Sequence, residues 1–183
     1  SAYSNIKRSE VQDPEDYDSI RIWHNPNFPD HCELEEGSYE ETADTRGHGF
    51  RAGSYSEHNL FRNILAQCTL GVKTDTIWEA EDIYMNQPFF NLLNFSDCDG
   101  IIGPDYSAAL FEDFRDNRDR FIRNLKQEID FTKETENPLA VEPEFILDDF
   151  DLSEDDIEDY IELYDHWTLA FELAKDGGIV QFR

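Results

Sequence analysis

Ser54, Ser56 and Cys98 could act as nucleophiles, and His48 or His58 could serve them as bases. Nucleophilic catalysis needs such a base beside the attacking atom. None of the three lies in a Gly-x-Ser-x-Gly elbow or a cysteine-protease signature. The histidines, His24, His31, His48, His58 and His166, show no His-Glu-x-x-His or other metal spacing. Cys32, Cys68 and Cys98 form no Cys-x-x-Cys pair, so no zinc site is expected. With 42 acids in 183 residues, neighbouring carboxylates arise by chance and do not mark an acid–base pair. A surface or core role is favoured for each of these residues, so none is assigned as catalytic, and neither a cofactor nor a metal is expected.

Two loops could still hold a small ligand. Residues 47–56 read Gly-His-Gly-Phe-Arg-Ala-Gly-Ser-Tyr-Ser. Backbone amides there, a following helix N-terminus and Arg51 would all favour an anion. The loop is not a P-loop, because no Gly-Lys-Ser/Thr follows. The bland alternative is a strand, a turn and a capped helix, with Arg51 and Arg62 pairing local acids. In the 95–106 loop, Gly100 at position 6 of a calcium loop puts Asp97 and Asp99 at positions 3 and 5. Phe95 and Tyr106 then occupy positions 1 and 12, where the first ligand and the bidentate Glu belong, so tight calcium binding is not expected. The alternative reading is thus a small-ligand or nucleotide-binding protein, an enzyme among the options, whose pocket on these loops would use Arg51, Ser54, Tyr55, Asp97 and Asp99.

The elements that must position these residues follow from periodicity and capping. Residues 1–18 are polar and acidic and read as a loose segment; residues 19–183 read as a single domain. Ser-Ile-Arg-Ile-Trp at 19–23 alternates like a strand, and residues 24–48 read as a long loop. A helix is expected over about 57–68 with Ser56 as N-cap, and a short one around Phe89–Phe95 after Pro88. Asp105 suits the cap of a helix over about 106–130, whose apolar face is interrupted by Arg118. Its other face carries Arg115, Arg120, Arg123 and Lys126. Ser153 suits the cap of an acidic helix over about 153–175, with Gly177 as its C-terminal stop. Gly178–Arg183 reads as a final strand. The expected class is α+β, a small mixed sheet with three or more packed helices.

Three blocks resemble a family of uncharacterised proteins found in bacteria and tailed bacteriophages. They are Gly-Phe-Arg-Ala-Gly-Ser-Tyr-Ser at 49–56, Phe-Ser-Asp-Cys-Asp-Gly-Ile-Ile-Gly-Pro at 95–104, and Ala-Phe-Glu-Leu-Ala-Lys-Asp-Gly-Gly-Ile-Val-Gln-Phe at 170–182. The resemblance spans roughly residues 47–183 with the blocks in order. It implies a phage or bacterial source and carries over no activity and no catalytic residue. The acidic N-terminal segment and the acidic 134–165 stretch depart from the family pattern.

Charge is the dominant feature. Net charge is −27, and residues 134–174 hold 15 acids and no Lys or Arg. Such a field repels nucleic acid and anionic membranes and attracts basic partners. Salt adaptation would account for the charge but not for the many Asn, Ile and Phe residues. The 14 phenylalanines supply a core, so the chain folds despite its charge. An odd cysteine count and the lack of an apolar leader give the expectation of a cytoplasmic protein, in the host cytoplasm if phage-encoded. The reading is of a non-enzymatic interaction protein that binds a basic partner, such as a host nuclease or defence protein, by imitating nucleic acid. Glu154, Asp155, Glu158, Asp159 and Glu162 are the expected contacts.

Overall fold

The computed structural model describes residues 1–13, 15–16, 19–95, 99–126 and 152–182. The fold is α+β, about half helical, with two small antiparallel sheets among the described residues. Among the described residues every strand pair is antiparallel, where a mixed sheet was expected. The chain divides into two compact units, residues 1–51, 96–112 and 166–183 in the first and 52–95 and 113–165 in the second. A single domain was expected over 19–183.

The first unit holds both sheets. Strands β1 (Ala2–Tyr3), β5 (Gly47–His48), β6 (Gly100–Ile102) and β7 (Ile179–Phe182) form one, in the order β5-β1-β7-β6. Strands β2 (Lys7–Arg8), β3 (Ile20–Ile22) and β4 (Gly37–Glu40) form the other, in the order β2-β4-β3. All four residues of β7 are buried, as suits a strand between two neighbours. Within the segment read as loose, Ala2 is fully buried and pairs with both His48 and Val180. The 24–48 stretch is likewise not one loop, since it contains β4 and β5. The 95–106 stretch contains β6. Ile20, Ile22, Cys32, Tyr39, Ile101 and Ile179 form one core cluster. Burial drives the Cys32 thiol up to about 11, so it is an inert core group.

The second unit is helical among its described residues. Helix α1 (Tyr55–Leu70) starts two residues before the expected point. Ser54, not Ser56, is the N-cap: its hydroxyl accepts from the Glu57 amide while the Glu57 carboxylate accepts from the Ser54 amide. The helix stops at Gly71, whose φ of +71° puts it in the left-handed region. Short helices α2 (Thr74–Glu79), α3 (Glu81–Tyr84) and α4 (Phe90–Leu93) follow.

Helices α5 (Pro104–Leu125) and α6 (Glu154–Ala174) supply residues to both units. Pro104 occupies the first turn of α5, so Asp105 lies within the helix rather than capping it. The expected continuation to residue 130 lies outside the described residues. Ser153 caps α6 as expected, accepting from the Asp156 amide at 3.1 Å. In the second unit, Tyr164 of α6 stacks on Phe121 at 4.5 Å and meets Phe114 edge-on at 4.7 Å. Its hydroxyl donates to the Phe114 carbonyl at 2.6 Å. Phe114 and Phe121 lie on the apolar face predicted for α5, and Tyr164 is buried with them.

Candidate functional site

Ser54 and Asp99 of the predicted loop pocket have structural duties. Ser54 is the α1 cap, and its own amide donates to the Glu57 carboxylate. The start of α5 is served in the same way: Glu33 accepts from the Asp105 amide at 2.6 Å. Both helix starts after the glycine-containing loops therefore carry the chain's own carboxylate where an anion would sit. Asp99 accepts from the Trp23 indole N–H at 3.2 Å, and its carbonyl accepts from the Asn25 amide at 2.8 Å. It thus anchors the segment after β3. Arg51 is exposed, and Tyr55 is 60% exposed. Arg51 and Asp99 belong to the first unit, Ser54 and Tyr55 to the second. Asp97 lies outside the described residues.

Arg62 reaches backbone carbonyls. It is buried in the second unit and donates to the Phe95 carbonyl at 2.6 Å, to the Leu93 carbonyl at 3.3 Å and to the Asn59 amide oxygen. The guanidinium closes the carbonyl end of α4 and lies 5.6 Å from the centre of the Trp78 ring. Arg118, which interrupts the apolar pattern of α5, reaches Asp165 of α6 through two 2.8 Å bonds. The hydrogen bond to Asp165 holds its guanidinium above the usual arginine value.

The acidic face is intact. Glu154, Asp155, Glu158, Asp159 and Glu162 are all exposed and occupy successive turns of α6. Among the described residues no ion pair forms to Glu154, Asp155, Glu158 or Asp159. Asp156 beside them accepts from the Ser153 hydroxyl at 2.7 Å and from its amide at 2.8 Å. The hydroxyl first, then the amide, holds this carboxyl below the ordinary value of 3.8. Tyr160 titrates above the usual phenol value, first through burial and then through Asp156, Glu57 and Asp159. The acidic part of 134–165 that precedes residue 152 lies outside the described residues.

One cluster was missed. His48 and His166, 118 positions apart, meet in the first unit with His48 Nε2 3.2 Å from His166 Nδ1. Phe50 stacks on both rings, at 5.4 Å each. Burial first, then the neighbouring His166, pushes the His48 imidazole below its ordinary value of 6.5. Local spacing gives no signal for a pair so distant in sequence.

Comparison with known protein families, curated proteins and solved structures gives no match. Among the described residues, no helix is long and apolar enough to cross a membrane.

Proposed function

We propose that this chain is a non-enzymatic binding protein whose acidic α6 face occupies the nucleic-acid groove of a basic partner. The observation that carries the reading is the exposed run Glu154, Asp155, Glu158, Asp159 and Glu162 on one helix. Residues 154 and 162 are about 12 Å apart along the helix axis at 1.5 Å per residue. Five carboxylates over that length approach the phosphate density of duplex DNA, one charge per about 1.7 Å.

The arrangement is costly to the helix. The i,i+4 pairs Glu154–Glu158, Asp155–Asp159 and Glu158–Glu162 set like charges together, at roughly 0.2–0.5 kcal/mol each. The helix dipole favours acids only within the first turn, so Glu158, Asp159 and Glu162 gain nothing from it. A helix selected only to fold would place a lysine among them. A breach of local rules without a local gain is the expected mark of a functional face. A host nuclease or defence protein is the concrete partner, in keeping with the phage-type resemblance of the three blocks.

Capture on the immobilised chain from bacterial lysate, followed by displacement with duplex DNA, tests this. Mimicry predicts that DNA releases the captured partner, and that the chain in turn blocks that partner's binding to labelled DNA. A partner that holds the chain and DNA together would overturn it.

A further inference from the structure

The imidazole pair of the first unit has the dimensions of a metal chelate. Two nitrogens bound at about 2.0–2.1 Å to one tetrahedral ion are about 3.3 Å apart. His48 Nε2 and His166 Nδ1 are 3.2 Å apart. Without a metal one ring nitrogen donates to the other across this distance, and a shared cation would displace that proton.

The rings are also held in advance. His48 ends the edge strand β5 and is in register with Ala2. His166 lies on α6, next to Trp167, which is buried. Phe50 lies nearly parallel to His166, at 10°, and within 26° of His48, while its edge meets Trp167 at 4.9 Å. Ring orientations fixed by packing lower the entropy lost when a ligand set closes on an ion. Both histidines are only partly buried, so water can complete the coordination shell.

We propose that His48 Nε2 and His166 Nδ1 form a two-imidazole site for a first-row divalent cation of the zinc, nickel or copper class. Imidazole selects these ions, while magnesium and calcium require oxygen ligands. No group of three or more His, Cys, Asp or Glu side chains able to hold a metal gathers among the described residues. The site is therefore open and exchangeable rather than a closed structural centre, and its bound cation ties β5 to α6. It is independent of the acidic face, whose carboxylates at 154–162 belong to the second unit.

Zinc titration of the full chain, in magnesium excess to occupy surface carboxylates, tests the assignment. One zinc site is expected. His48→Gln and His166→Gln should each weaken it by at least the roughly 10- to 100-fold that even an outer partner of a metal ligand contributes. Circular dichroism checks that both variants fold. Nitrogen-detected histidine spectra of the unmodified chain supply the second readout: zinc should shift His48 Nε2 and His166 Nδ1. Absence of a zinc site, equal affinity in folded variants, or shifts on other histidines would overturn the proposal.

Discussion

Adjacent glycines at the end of α6 allow steric and dihedral effects to be separated. A Cβ on Gly178 would lie 1.8 Å from the Tyr3 carbonyl oxygen, 2.6 Å from its carbon and 2.8 Å from the Ser4 Cα. Non-bonded atoms settle near 3.5–4.0 Å, so Gly178→Ala requires a backbone shift of well over about 1 Å. All three obstructing atoms are main chain, and no side chain can swing away. The strand that must move is β1, which is held by its register with Ile179 and Val180. Two bonds beside it are at risk, from the Asn5 amide to the Asp176 carbonyl and from the Ile6 amide to the Gly177 carbonyl. Overpacking costs about 1–3 kcal/mol, and each lost bond adds about 1 kcal/mol. The expected loss is therefore about 3 kcal/mol or more. Gly177 has a φ of +63° and open space around it, so Gly177→Ala should cost only the left-handed penalty of about 1–2 kcal/mol. Urea denaturation of both variants checks the order. A Gly178→Ala loss below that of Gly177→Ala would refute the placement of β1 against the end of α6.

Ser54→Ala removes the capping box and should cost about 0.5–2 kcal/mol in urea denaturation while leaving partner affinity unchanged. Loss of partner binding by a folded Ser54→Ala protein would restore the loop reading. Tyr164→Phe removes the buried bond to the Phe114 carbonyl but keeps the ring packing, and should cost about 1 kcal/mol by the same assay. Asp156 should titrate below 3.8 in carboxyl NMR, and Ser153→Ala should raise its midpoint toward that value. Because the folded value is lowered, its contribution to stability is present above the unfolded value and is lost as pH falls through the folded one. An Asp156 midpoint unaffected by Ser153→Ala would contradict the capping geometry.

Much of the helical framework was legible because caps and apolar period agree. Ser153 and Gly177 bracket α6 as read, and Leu110, Phe114 and Phe121 face inward on α5. The start of α1 was misplaced because two serines compete, and Glu57 decides for Ser54 by standing three residues beyond it. Strands β1, β2 and β5 have two residues each, too few for alternation to register. They form because distant segments pair with them, and Ala2 finds both neighbours more than forty positions away. The acidic face could be read directly, since net charge and helical spacing are sequence properties. The His48–His166 pair could not, because only the packing of β5 and α6 within one unit brings them together. The carbonyls at the end of α4 that Arg62 reaches are hidden for the same reason, since they leave no trace in composition.

The central claim is that the α6 carboxylates bind by imitating phosphate. Its most direct test is the association rate of the captured partner with the chain between about 50 and 500 mM salt, where the Debye length shrinks several-fold. The unmodified chain is compared with one carrying Glu154→Gln, Asp155→Asn, Glu158→Gln and Asp159→Asn. Mimicry predicts a rate that falls steeply with salt, and a variant that folds at least as stably but associates slowly with a shallower salt slope. A rate independent of salt, or a folded variant that associates as fast as the unmodified chain, would contradict it.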